Sequence, residues 1–185
     1  MSLENDFVQE LSTGILYPRQ LHGLVLIGCG VRMKFGFIKG YAVGTYIDNT
    51  TRDALKSTSA VDDDIHKVLL DPNYRRILRI VMNRTVPIDM FNSSIIDALT
   101  PRMNGKDVDQ IHKFKELGPY RDLEEGDIIE LSIQGDTMEY SNSLGGIGEI
   151  KSMIFTRAIC DAYYGNDCVS PTHKEAVLRY ISSIK

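Results

Sequence analysis

Residues 28–34 read GCGVRMK and residues 41–48 read YAVGTYID, and these two stretches decide the fold. Both are apolar runs interrupted by glycine, a pattern typical of β-strands. Arg32 lies inside the first run. Burying a guanidinium is costly unless acceptors or an anion meet it. Arg32 therefore either has a partner within the fold or binds a negatively charged ligand.

The position of Tyr41 relative to Arg32 depends on how the chain turns between them. Side chains alternate along a strand, so residues 32 and 41 of one unbroken strand would face opposite sides. A turn or bulge at Gly36 or Gly40 would reset the alternation and bring the phenol beside the guanidinium. Such a pair suits a carboxylate, which accepts two hydrogen bonds from the arginine and a third from the tyrosine. From these residues alone, an arginine at a strand edge that reaches solvent or an internal aspartate remains the alternative.

The composition indicates one domain that spans residues 1–185, with an irregular or extended lead-in over residues 1–20. The chain has 185 residues and a formal net charge of -4, which argues against a nucleic-acid binder. Three cysteines and four scattered histidines show neither disulfide nor metal-ligand spacing, so we expect no metal and no cofactor. The longest apolar stretch, residues 24–31, is too short to span a membrane. We expect an intracellular monomer, in the cytoplasm or a plastid.

Glycine and proline positions divide the chain into alternating strands and helices. We expect a tight, flexible loop at residues 145–148, which lack the lysine of a phosphate-binding loop. Arg84 follows a basic and apolar strand, where a structural ion pair is the expected role. Strands are predicted at 24–27, 31–37, 38–48, 75–84, 128–134 and 138–141, and helices at 50–57, 62–70, 87–99, 107–117, 149–164 and 170–185. This order predicts an α+β fold in which helices cover one face of a largely antiparallel sheet.

Five sequence blocks, in order, resemble the chalcone isomerase superfamily over roughly residue 21 to the end. They are GCGVRMK with FIKGYAVGTYID, RRILRIVMNRTV, the stretch 99–118 that ends in HKFKELG, LEEGDIIELSI, and GEIKSMIFTRAICDAYYGNDCVSP. The resemblance implies an open-faced β-sandwich, in which a large antiparallel sheet packs against a layer of helices with a ligand cleft between them.

The resemblance also assigns five residues to the cleft. Arg32 matches the arginine that the superfamily shares. Tyr41 matches a catalytic threonine of the true isomerases and a tyrosine of the fatty-acid-binding branch. Phe91 matches a catalytic tyrosine, Ala98 lies near an asparagine and Ala162 near a specificity threonine. Because these polar groups are missing, the resemblance implies a non-catalytic protein that binds a fatty acid or similar carboxylate through Arg32 and Tyr41.

Two other functions stay open at this point. One is a chalcone-flavanone isomerase-type intramolecular lyase of weak or altered activity, in which a phenolic substrate binds and Arg32 stabilises the developing oxyanion. The other is a non-catalytic partner of another enzyme. The sequence does not decide whether the cleft is open, since four large side chains are candidates to fill it: Phe35, Phe37, Phe91 and Tyr163.

Overall fold

The structure, a computed structural model, describes residues 6–34, 38–59 and 62–185. Its strands are β1 Phe7–Gln9, β2 Leu16–Pro18, β3 Gln20–Leu21, β4 Leu24–Lys34, β5 Ile38–Ile47, β6 Arg76–Met82, β7 Ile128–Gln134, β8 Thr137–Asn142 and β9 Ile147–Lys151. Its helices are α1 Asn49–Ser57, α2 Asp62–Leu70, α3 Ile88–Met103, α4 Asp109–Leu117, α5 Met153–Tyr164 and α6 Pro171–Ser183.

A seven-stranded sheet in the order β3-β4-β5-β6-β7-β8-β9 forms the centre of the molecule, and every neighbouring pair is antiparallel. This confirms the predicted α+β class. Some predictions at the level of single elements are wrong. Residues 24–34 form one continuous strand rather than two. The loop predicted at residues 145–148 is shorter, and the helix predicted from residue 149 begins later, because residues 147–151 form the edge strand β9 and α5 begins only at Met153.

The six helices contribute apolar side chains to one core against one face of the sheet. The other face is partly covered by β1 and β2, which pair with each other as a separate ribbon. Within the expected lead-in, residues 7–9 and 16–18 are thus extended and paired. Tyr17 of this ribbon is fully buried, and a Cβ on Gly44 would lie 2.7 Å from its ring. Gly44 therefore admits the tyrosine to the outer face of the sheet.

Helix α6 packs across β4, and the glycines of the GCG stretch make this possible. A Cβ on Gly30 would lie 2.2 Å from the backbone nitrogen of His173, closer than any side chain tolerates. The Val31 amide donates to the Thr172 hydroxyl, and the Ser170 hydroxyl donates to the Val31 carbonyl. Ser170 lies at the N-terminus of α6, but its hydroxyl makes no capping bond to the helix and instead fixes β4 next to Arg32.

The remaining boundaries differ in small ways that have local causes. Helix α1 begins at Asn49 rather than at residue 50, because the Asp48 carboxylate caps it by accepting from the Thr51 amide. Helix α3 continues past Leu99 through Pro101 and ends at Asn104, which has a left-handed backbone. In the described part of the chain, no helix has the length and apolar character needed to cross a lipid bilayer.

Candidate ligand site at Arg32

The strands β4 and β5 place Arg32 directly opposite Tyr41. The pairing continues from Val31 with Ala42 to Arg32 with Tyr41 and then passes to Met33 with Lys39, so that Gly40 is an extra residue. Directly opposed residues of an antiparallel pair point to the same face, so the two side chains meet. The predicted bulge is thus found at Gly40, while Gly36 lies outside the described residues.

The Arg32 guanidinium makes two hydrogen bonds within the fold. One goes from Nη1 to the Tyr41 hydroxyl at 3.2 Å, and the other from Nη2 to the Ser94 carbonyl of α3 at 3.3 Å. Behind this pair, the hydroxyls of Tyr41 and Tyr163 lie 2.8 Å apart. The ion pairs among the described residues do not include Arg32. Its charge is therefore oriented but not neutralised.

The surroundings keep this arginine charged and the deeper phenol protonated. Tyr41, followed by Tyr163, raises the pKa of Arg32 above its ordinary value, although burial acts in the opposite direction. Burial, reinforced by Tyr41, raises the pKa of Tyr163 well above that of a free phenol. The site therefore presents a permanent cation with a neutral Tyr163 behind it, an arrangement that attracts a carboxylate and offers it hydrogen bonds.

An outer cavity of about 180 Å³ opens beside Arg32 between the β4–β5 hairpin and the start of α3. Tyr41 and Phe91 line it, together with Met90, which is 45% exposed. The wall is mostly apolar, and its further described residues are Lys34, Ile38, Gly40, Arg84, Thr85, Val86, Pro87 and Ser94. Of the sequence-predicted site residues, the structure thus brings Arg32, Tyr41 and Phe91 to one cavity.

A second, inner cavity, which Arg32 also lines, contains only about 20 Å³, enough for a single water molecule. Ala98 and Ala162 line this inner cavity and not the outer one. Tyr163 is buried and lines this inner cavity with them. Phe35 and Phe37, the other candidates to fill the cleft, lie outside the described residues.

Sequence reasoning missed three contributors to the site. Ser94 follows Phe91 by three residues on α3, so helical spacing alone could have placed it on the same face. Lys34 follows Arg32 by two residues on β4 and lines the same cavity. Arg84 was expected to form a structural ion pair. Instead it is exposed at the cavity, and it is not among the ion pairs of the described residues.

The acids and histidines do not suggest metal chemistry at this site. Within residues 6–34, 38–59 and 62–185, no group of three histidine, cysteine or acidic side chains is placed to hold a metal ion. What the site offers is a charged arginine, two phenols and an apolar wall. Such a set binds and orients an anionic, partly apolar small molecule.

The geometry agrees with what comparison with known proteins finds. The sequence model of the family described as chalcone isomerase-like matches residues 17–179, and the chain belongs to this family. Its structure is similar to the crystal structure of a fatty-acid binding protein of Arabidopsis thaliana, with a TM-score of 0.80 and 21% sequence identity. The match covers 96% of this chain and 98% of the plant protein. Comparison with the curated proteins finds no match.

Proposed function

We propose that this protein binds a fatty acid or a similar amphipathic carboxylate without catalysing a reaction. The proposal rests on the hydrogen bonding, charge and position of Arg32. Its guanidinium is held by Tyr41 and Ser94 beside an apolar cavity, and it is not among the ion pairs of the described residues. A carboxylate at this position would accept from the guanidinium and from the Tyr41 hydroxyl, while its apolar part lies against Met90 and Phe91.

The size of the cavity limits what the apolar part can be. The outer cavity, at about 180 Å³, is about nine times larger than the inner one of about 20 Å³, which holds a single water molecule. Each buried methylene contributes roughly 0.8 kcal/mol, so a short or medium-length chain already gains useful affinity. A long chain would extend beyond the outer cavity, since the inner one holds only about 20 Å³.

An isomerase is a weaker candidate because the walls offer few groups that could polarise a chalcone. Phe91, Ala98 and Ala162, where the resemblance places the catalytic and specificity side chains, carry no hydrogen-bonding group. Arg32 and Tyr41 alone would bind an acid as readily as they would stabilise an oxyanion.

The test is a calorimetric titration of octanoic acid and of octanol into the wild type and the Arg32→Met variant. We expect the variant to bind the acid roughly 30-fold or more weakly, since the anion then lacks its cationic partner. Octanol should change by about threefold or less, because its contacts are mainly apolar. The exposed Arg52 of α1 supplies the matched control, Arg52→Met, which should leave both affinities unchanged.

Equal losses for acid and alcohol would refute the assigned role of Arg32, and a wild type that binds neither would refute the function. The isomerase alternative is tested with the same preparation by following the absorbance of an added chalcone. Decay faster than in buffer, and slowed by Arg32→Met, would favour the isomerase.

A further inference from the structure

The turn that joins β1 to β2 carries an apolar side chain that the fold does not use. Leu11 is 93% exposed, more than any other large aliphatic side chain in the described part of the chain. Single exposed apolar residues are common at protein surfaces, so exposure alone does not identify a binding surface. What holds Leu11 in place and what surrounds it are more informative.

Hydrogen bonds within the turn fix the position of Leu11. The Glu10 amide donates to the Ile15 carbonyl, which closes the turn. The Glu10 carboxylate, which is 6% exposed, accepts from the backbone amides and the hydroxyls of both Ser12 and Thr13. The turn is therefore a built structure that presents Leu11 to the outside, and its one acid is directed inward.

A cation and a second apolar side chain lie beside this turn. The Lys39 ammonium donates to the carbonyl of Ser12, the residue next to Leu11, at 2.5 Å. Met33 is paired directly with Lys39 across β4 and β5, so the two side chains share one face of the sheet. Met33 is 38% exposed, and Lys39 is not among the ion pairs of the described residues. We refer to Leu11, Met33 and Lys39 as the turn patch.

The turn patch and the outer cavity lie at the same end of the sheet, on its two faces. Ile38 and Gly40, the chain neighbours of Lys39, line the cavity, whereas Lys39 extends to the ribbon on the other face. On the cavity side, Met90 is 45% exposed. A surface that receives the turn patch therefore lies close to the outer cavity.

The shape and chemistry of the turn patch fit a lipid bilayer better than a protein partner. The turn protrudes with one aliphatic side chain at its tip, and a protein would need a matching pocket to cover it. A bilayer accepts such a side chain among its acyl chains, and a lysine beside it can keep its ammonium at the level of the lipid phosphates.

We propose that the protein docks on the surface of a bilayer through the turn patch, with Leu11 inserted among the acyl chains and Lys39 at the lipid phosphates. This inference goes beyond the proposed function and rests on it only for its purpose. An amphipathic carboxylate partitions into bilayers, so docking would bring the outer cavity close to the source of the ligand. Docking itself needs no ligand.

The chain contains no tryptophan, so Leu11→Trp introduces a single fluorescent reporter. We expect its emission to shift to the blue with phosphatidylcholine vesicles, and to be quenched by lipids that are brominated on their acyl chains. The matched control is Ile147→Trp, because Ile147 is 81% exposed on β9, the strand at the far edge of the sheet. The control should show neither change.

Cosedimentation with vesicles measures the same contact without a tryptophan. Leu11→Gln should weaken partitioning about tenfold, and Ile147→Gln should leave it unchanged. Lys39→Gln should weaken it about threefold, and only on vesicles that contain phosphatidylserine. The effect of phosphatidylserine is small because the exposed Glu124 and Glu125 follow β6 at the same end of the sheet.

Three results would overturn the docking proposal: a wild type that does not cosediment, equal losses in Leu11→Gln and Ile147→Gln, or a Leu11→Trp emission that vesicles leave unchanged. An emission already shifted without vesicles, and dependent on protein concentration, would assign the turn to contact with a second copy instead. Octanoic acid binding in vesicle-free solution should be the same for Leu11→Gln as for the wild type. That titration tests the proposed function separately, so either proposal can fail alone.

Discussion

Arg76 and Arg32 both lie on the helix side of the same sheet, but they differ in how completely their guanidinium groups are hydrogen-bonded within the fold. Arg76 begins β6 and is 1% exposed. All of its nitrogens donate to backbone carbonyls: Nε to Tyr74, Nη1 to Leu69, and Nη2 to both Val68 and Asp71. Two of these carbonyls belong to the last turn of α2, the negative end of the helix dipole, where carbonyls lack partners within the helix.

Arg32 is oriented by fewer groups and borders open space. It has one phenol and one carbonyl as partners, and it lines both the outer and the inner cavity. Adjacent residues of α5 serve the two arginines, since Tyr163 supports the Arg32 pair through Tyr41 and the ring of Tyr164 lies 5.1 Å from the Arg76 guanidinium. The comparison thus separates Arg76, whose nitrogens all donate within the fold, from Arg32, whose guanidinium still has donors available for a ligand.

The prediction with the largest expected effect tests this comparison through the free energy of unfolding of two variants. Replacement of Arg76 by methionine leaves buried carbonyls without a donor, so we expect Arg76→Met to lower the free energy of unfolding by about 3 kcal/mol or more. Arg32→Met should cost about 1 kcal/mol or less, because its carbonyl and phenol partners keep other bonds. Urea unfolding of both variants checks this. Equal losses would mean that Arg32 is also structural.

A smaller predicted effect is a pH dependence of the free energy of unfolding that arises from the buried His173. Thr45 joins Tyr164 to His173, with Oγ1 at 2.8 Å from the Tyr164 hydroxyl and 2.7 Å from the His173 Nε2. Burial lowers the pKa of His173 to about 3. An unfolded histidine has a pKa near 6.5, so below that pH the unfolded state binds more protons than the folded state. The free energy of unfolding should therefore fall as the pH drops, by up to about 1.4 kcal/mol per pH unit.

Urea unfolding at about pH 7 and about pH 5 measures this loss, and His173→Gln should remove most of it. The Arg32 region should contribute nothing in this window, since the pKa values of Arg32 and Tyr163 are both raised. If His173→Gln perturbs the fold, an NMR titration of the histidine side chains replaces it. A His173 signal that titrates near pH 6.5 would contradict this account.

Much of the fold follows from local sequence signals. Residues 128–134 and 62–70 form elements with the predicted bounds, because alternation marks the first and a run of aspartates opens the second. The fold class could be predicted from the sequence as well. The strand β9 was missed because the glycines around Ile147 resemble a loop, and this residue is 81% exposed. Its pairing with β8, rather than its own composition, makes it a strand.

The site was only partly predictable for a related reason. The meeting of Arg32 and Tyr41 follows from the bulge at Gly40, a candidate that the sequence offered. The separation of Ala98 and Ala162 from the outer cavity was not predictable, because it depends on how α3 and α5, which carry them, pack together. Similarly, the position of Arg84 at the cavity depends on the packing of α3 against the hairpin. Such long-range packing has no signature in the neighbouring residues.

The difference between Arg32 and Arg76 is tested most directly by an NMR titration of the wild type with octanoic acid. The experiment observes the side-chain nitrogens of the arginines as the acid is added. The Arg32 signals, assigned by their absence in Arg32→Met, should shift as the carboxylate replaces water at the guanidinium. The Arg76 signals should stay in place, since all of that guanidinium's nitrogens already donate to carbonyls. An Arg32 signal that does not move at saturating acid, or that moves no more than the signal of Arg76, would contradict the account.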